Sequence, residues 1–75
     1  MVIKILGSGC AKCRKLEANA QQAVNELGIE AVIEKVQDIQ AIADYGVMMT
    51  PALVVDEQVK VMGRVPSAAD IKKYL

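Results

Sequence analysis

Two cysteines three positions apart, Cys10 and Cys13, offer the clearest chemistry in this 75-residue sequence. A thiolate attacks disulfides and also binds soft metals. The pair therefore suits either a reversible dithiol/disulfide centre, oxidised as a Cys10–Cys13 disulfide, or a site for a soft metal such as Cu(I). The spacing alone leaves both chemistries open.

Ligand count separates some of the metal alternatives. A four-coordinate structural zinc site needs further Cys or His ligands, and this sequence has no third Cys and no His. A closed zinc site is therefore disfavoured, whereas two-thiolate Cu(I) binding is not. The thioethers of Met48 and Met49 also suit Cu(I), but we expect them to fill irregular apolar gaps or to line a substrate groove.

The residues around the cysteines favour thiolate formation. Apolar residues recur at helical spacing from Cys10 to Leu27, so a helix that starts near Cys10 places the Cys10 sulfur beside unpaired N–H groups and the positive end of the dipole, which stabilise an anion. One turn of helix returns Cys13 to nearly the same face, where a local disulfide can form. We assign Cys10, next to the flexible Gly7-Ser8-Gly9 loop, as the nucleophile and Cys13 as the resolving thiol. Gly9 serves either the turn alone or the admission of substrate.

Periodicity and turn residues predict the order β-α-β-α-β-β-α, with Asp38 and Ser67 as caps of the second and third helices and Gly28 at the end of the first. Short connections and right-handed crossovers predict that the first two β-α-β units are parallel and that the last two strands form an antiparallel hairpin. The expected fold is α/β, a four-stranded mixed sheet flanked by helices. The predicted strands are Val2–Leu6, Ile29–Val36, Ala52–Val55 and Val59–Met62.

Composition and charge limit the number of domains, the partners and the cellular compartment that we expect. The length allows one domain over residues 1–75, and 53% hydrophobic residues are enough for one small core. Nine basic and nine acidic residues cancel, without a basic run, which argues against nucleic acid as a partner. We predict no membrane span and no signal peptide, and therefore a cytoplasmic protein, in which a close cysteine pair is more typical of catalysis or metal binding than of a structural staple.

Two motifs together resemble the thioredoxin superfamily, and in particular its small single-domain redox-active disulfide proteins. The first is Gly7-Ser8-Gly9-Cys10-Ala11-Lys12-Cys13 after a strand, and the second is the segment 47–55, Val-Met-Met-Thr-Pro-Ala-Leu-Val-Val, before a hairpin. The resemblance implies a thioredoxin-like fold and a thiol:disulfide oxidoreductase without a cofactor. It also implies protein disulfide substrates and an upstream disulfide reductase as partners, and we expect a monomer.

The same resemblance implies roles outside the cysteines. Pro51 would follow a cis bond and lie against the disulfide, Thr50 would offer backbone groups to an extended substrate, and Met49 would line the substrate groove. Three features depart from the family: Ala11-Lys12 lies between the cysteines, Gly9 replaces the aromatic residue often found before the first cysteine, and Lys4 is the only ionisable residue in the strand where thioredoxins carry a proton-transferring acid. That proton transfer would then fall to water or to an acid elsewhere. We expect Lys4 itself to be an edge or strand-end residue whose stem packs and whose ammonium reaches water.

Two further alternatives remain open. A heavy-metal-associated carrier has a similar size and Cys-x-x-Cys loop, but its Met two residues before the first cysteine is Ser8 here, and its order β-α-β-β-α-β ends in a strand. A glutaredoxin-like use of glutathione is the other alternative.

Overall fold

A computed structural model describes residues 1–7, 9 and 11–75. The predictions made for Ser8 and Cys10 lie outside the described residues. The elements follow the predicted order: β1 (Val2–Leu6), α1 (Ala11–Leu27), β2 (Val32–Val36), α2 (Ile39–Asp44), β3 (Ala52–Val55), β4 (Gln58–Met62) and α3 (Ala68–Lys72). Within the described part of the chain, no helix is long and apolar enough to span a membrane.

The four strands form one mixed sheet in the order β2-β1-β3-β4. β1 and β2 are parallel, as predicted, and β3 and β4 form the predicted antiparallel hairpin. The prediction of a second parallel unit is wrong, because β3 lies on the other side of β1 and runs antiparallel to it. Ala52, the first residue of β3, therefore pairs with Leu6, the last residue of β1.

The place where the connection ends explains this reversal. Residues 37–51, between β2 and β3, number 15, which is long enough for a parallel crossover. Ile42 of α2 and Val47 of the following loop instead share an apolar cluster with Leu6, the last residue of β1. The chain therefore enters β3 at the edge where β1 and β2 end, and it runs back antiparallel to β1.

Local signals set most helix ends where the sequence predicts them. The side chain of Asp38 accepts a hydrogen bond from the backbone N–H of Gln40, and that of Ser67 accepts one from Asp70. The backbone N–H of Gly28 closes α1 by donating to Val24. The second strand is shorter than predicted: it begins at Val32 because the pairing with β1 begins there, opposite Val2.

The sheet separates two apolar clusters. On one face, Ile3 and Ile5 of β1 pack with α1 and α3, whose buried residues include Leu16 and Ile71. On the other face, Leu6 of β1 packs with residues of α2, β3 and the loop between them. All four residues of β3 are buried, as expected for a strand that is covered on both faces. β1 and β3 thus form the rigid centre of the fold.

Lys4 lies on the α2 face of β1. Its Nζ is 2.7 Å from Glu57 Oε1 and donates to the Tyr45 hydroxyl at 2.7 Å, and that hydroxyl donates to Glu57 Oε2 at 3.0 Å. The sequence predicted an edge or strand-end lysine with its ammonium in water. β1 is instead a central strand, and the Lys4 side chain is 21% exposed.

This ion pair ties the β3–β4 turn to the sheet. Asp56 and Glu57 both have positive φ, 48° and 69°, a conformation that costs a side-chain-bearing residue roughly 1–2 kcal/mol. Asp56 Oδ1 accepts a hydrogen bond of 2.9 Å from the N–H of Val2, and Glu57 binds Lys4. Their side-chain contacts with β1 therefore offset part of the strain of a turn that lacks Gly.

We predict an acid-labile contribution to stability from Glu57. Lys4 and Tyr45 hold the pKa of this carboxyl below its ordinary value of 4.5. A carboxyl whose pKa is lower in the folded state stabilises the fold above its ordinary pKa and loses that effect as the pH falls. In Glu57→Gln, the melting temperature should fall less steeply below about pH 4.5 than in the unmodified protein.

Glu34→Gln is the matched control, since Glu34 is an exposed glutamate on β2 that forms no ion pair within the described part of the chain. Its melting curve should retain the acid dependence of the unmodified protein. Identical acid dependence in Glu57→Gln and the unmodified protein would contradict the role of this ion pair.

Candidate active site

Cys13 is the third residue of α1 and lies in the helix's first turn. Its side chain is buried, with 5% exposure, and it borders a surface cavity of about 230 Å³. The N–H groups of a helix's first turn have no partners within the helix, and they and the dipole stabilise a thiolate. The cavity is lined by Ile5, Gly7, Gly9, Cys13, Arg14, Glu17, Lys35 and Gln37.

Gly7 follows β1 directly and brings the backbone against Cys13. A Cβ atom at position 7 would overlap Cys13 Sγ, and it would lie 3.3 Å from Cys13 Cβ and 3.9 Å from Pro51 Cα. Glycine is therefore required here for close approach. The sequence predicted only a flexible turn, because this contact depends on where α1 and β3 lie relative to the end of β1.

Thr50 and Pro51, directly before β3, lie near Gly7 and Cys13. The Thr50–Pro51 bond is cis, Pro51 is buried and Thr50 is exposed. The carbonyl of Pro51 accepts a hydrogen bond of 2.9 Å from the N–H of Gly63. The structure thus brings both Cys13 and Pro51 close to Gly7, with Thr50 at the adjoining surface.

Met48 and Met49 do not fill gaps in the core, since they are 93% and 61% exposed. Met49 lies beside Gly63, where a Cβ atom would come within 3.1 Å of the Met49 methyl carbon. Gly63 has a φ of 78°, which glycine adopts without strain. Its lack of a side chain also leaves room for the Met49 side chain. Next to Thr50, the two methionines form an exposed apolar surface.

Lys4 takes no part in the Cys13 environment. It lies on the α2 face of the sheet, whereas Cys13 belongs to α1, which covers the opposite face. The only described carboxylate at the cavity is that of Glu17, one turn after Cys13, and its Oε2 lies 3.4 Å from Lys35 Nζ.

None of the predictions from the sequence placed Glu17, Lys35 and Gln37 at the same cavity as Cys13. The four-residue spacing from Cys13 to Glu17 is a local signal that could have found the first. Lys35 and Gln37 carry no such signal, because they arrive through the crossover that places β2 beside β1. Among the described residues, no group of three or more His, Cys, Asp or Glu side chains is arranged to hold a metal ion.

Comparison with known proteins agrees with this geometry. The family model described as thioredoxin domain matches residues 1–75. The chain belongs to this family. It is 49% identical over 75 residues to a thioredoxin of Methanothermobacter thermautotrophicus, covering all of this chain and 97% of that protein. It is 43% identical over 75 residues to a thioredoxin of Methanocaldococcus jannaschii, covering all of this chain and 86% of the relative. The resemblance to the thioredoxin superfamily and the predicted thioredoxin-like fold are thus confirmed.

We predict that Gly7→Ala is destabilising because its methyl group overlaps the Cys13 sulfur. Overpacking of a buried site costs about 1–3 kcal/mol, so urea denaturation under reducing conditions should show a loss of that size. In a Cys13→Ala background the sulfur is absent, and the same substitution should cost clearly less. An equal cost in the two backgrounds would show that the contact with Cys13 is not the reason for glycine at position 7.

Proposed function

We propose that this protein is a thiol:disulfide oxidoreductase that reduces protein disulfides with the dithiol of Cys10 and Cys13. The observation that carries the proposal is the position of Cys13. This residue is buried in the first turn of α1 and lies beside Gly7, which is also close to Pro51, the residue before β3. A redox thiol needs a site that stabilises its anion, and a helix N-terminus is such a site. Membership of the thioredoxin domain family supports the same chemistry.

The proposed reaction has two thiol–disulfide exchanges. The Cys10 thiolate attacks one sulfur of the substrate disulfide, forming a mixed disulfide and releasing the other sulfur as a thiolate. Cys13 then loses its proton and attacks the Cys10 sulfur, which releases the second substrate thiolate and leaves a Cys10–Cys13 disulfide. The two released thiolates take up two protons, so the substrate gains two electrons and two protons while the dithiol loses them.

The substrate-binding surface in this proposal is the exposed edge around Thr50. Thr50 would pair through its backbone with an extended segment of the substrate, and Met49 would contact apolar residues beside the substrate's disulfide. Gly9, exposed at the mouth of the Cys13 cavity, would admit the substrate without side-chain hindrance. Met49 and Thr50 are both exposed, which supports this use.

The proposal also covers the electron donor, the oligomeric state and the cellular compartment of the protein. An upstream disulfide reductase would return the oxidised protein to its dithiol form, so no bound cofactor is needed. We propose that the chain works as a single domain and a monomer in the cytoplasm, where protein thiols are kept reduced.

The test is a single-turnover reaction of the fully reduced protein with a peptide that contains one disulfide. The unmodified protein should release both peptide thiols and lose two hydrogens in mass. Cys13→Ser should stall as a covalent adduct through Cys10, because the resolving thiol is gone, and Cys10→Ser should form no adduct through position 10.

A titration with Cu(I) against a competing chelator accompanies this reaction. Tight one-to-one Cu(I) binding, together with no adduct in Cys13→Ser, would overturn the proposal in favour of a soft-metal carrier. A glutathione adduct of Cys10 that exceeds the peptide adduct would instead indicate glutathione as the substrate.

A further inference from the structure

The cavity beside Cys13 contains an ion pair that the two cysteine exchanges do not use. Glu17 and Lys35 line it from α1 and β2, with 3.4 Å between Glu17 Oε2 and Lys35 Nζ. The Glu17 side chain is 31% exposed. Arg14 is the other charged residue among the described residues that line the cavity.

The second thiol–disulfide exchange requires a proton acceptor near Cys13. Only the thiolate is nucleophilic, so Cys13 must lose a proton before it can attack the mixed disulfide. Cys13 is buried but lines this surface cavity, so its proton leaves through the cavity. A proton acceptor that shares the cavity with Cys13 would meet this need.

Glu17 has the position that such an acceptor requires. Residues four apart on a helix lie on the same face, with Cβ atoms about 5–6 Å apart, so Glu17 follows Cys13 by one turn. The cavity volume of about 230 Å³ has room for several waters, each of which occupies about 30 Å³ in the liquid. A water between the thiol and the carboxylate would complete the path.

We propose that Glu17 accepts the proton of Cys13, through water in this cavity, during release of the reduced substrate. Lys35 acts as a positioning residue, because its ammonium holds the Glu17 carboxylate at the cavity. The inference rests on the proposed function and assigns one step of it to a further residue.

The step balances in protons and electrons. The Cys13 proton passes to the Glu17 carboxylate as the Cys13 sulfur bonds to the Cys10 sulfur. The bond between Cys10 and the substrate sulfur breaks, and the substrate leaves as a thiolate that carries the electron pair. Glu17 then returns its proton to solvent, from which the substrate thiolate is protonated.

The test uses an aromatic disulfide, dithiobis(nitrobenzoate), mixed with an equimolar amount of the reduced protein in a stopped-flow spectrometer. The first coloured thiolate reports attack by Cys10, and the second reports resolution by Cys13. Because the aromatic thiolate leaves without needing a proton, the second phase is sensitive to proton loss from Cys13. Cys13→Ser should lack the second phase.

In Glu17→Gln, the second phase should slow about a hundredfold, the lower end of what a positioned general base contributes. Its rate should rise about tenfold per pH unit, as expected when hydroxide replaces the carboxylate, and more steeply than in the unmodified protein. A purely electrostatic role predicts the opposite sign, since removing a negative charge near Cys13 favours its thiolate. The first phase should keep its rate.

Glu26→Gln is the matched control, because Glu26 lies on the same helix and forms an ion pair with Lys72 away from the cavity. It should leave both phases unchanged. In Glu17→Ala, added formate should restore the second phase in proportion to its concentration, whereas sodium chloride at equal ionic strength should not. Lys35→Gln should slow the second phase less than Glu17→Gln does.

The outcomes separate the inference from the function. If Glu17→Gln resolves at the rate and with the pH profile of the unmodified protein, the role of Glu17 is contradicted while the dithiol function stands. If the unmodified protein shows no second phase, the proposed function itself fails.

Discussion

The antiparallel pairing of β1 with β3 is the constraint on which the rest of this structure depends. It places Ala52 opposite Leu6, so that the segment before β3 arrives where β1 ends and α1 begins. Gly7 then lies close to both Cys13 and Pro51, and no larger residue fits there without displacement. One strand register thus brings together two motifs about forty residues apart in the sequence.

The two faces of the sheet have different roles: one holds the helix that carries Cys13, and the other holds α2 and the hairpin turn in place. On the α1 face, Ile3 and Ile5 fix the helix that carries Cys13 and Glu17. On the α2 face, Lys4 joins Tyr45 at the end of α2 to Glu57 in the hairpin turn. The lysine in the central strand therefore supports the turn and leaves the thiol's environment to side chains from α1 and β2.

Features that depend on residues close together in the sequence could be predicted, whereas features that depend on strand pairing could not. Asp38 and Ser67 cap helices through hydrogen bonds within three residues, so their roles are visible in the sequence. The direction of β3 was mispredicted because it depends on the packing of α2 and the following loop beside the end of β1, which no local pattern indicates. The contacts of Gly7, Lys35 and Glu57 depend on strand pairing, and no local pattern indicates them. The fold family was predictable from the sequence, whereas the charged residues that line the cavity beside Cys13 were visible only in the structure.

The most direct measurement is the equilibrium between the dithiol and disulfide forms of the unmodified protein in glutathione buffers of graded ratio, with mass spectrometry to count thiols. The account predicts one reversible two-electron transition to a Cys10–Cys13 disulfide. Its midpoint should lie near or below the cytosolic poise of about −220 to −320 mV, as a reductase requires. Absence of an intramolecular disulfide at every ratio, or a midpoint far above that range, would contradict it.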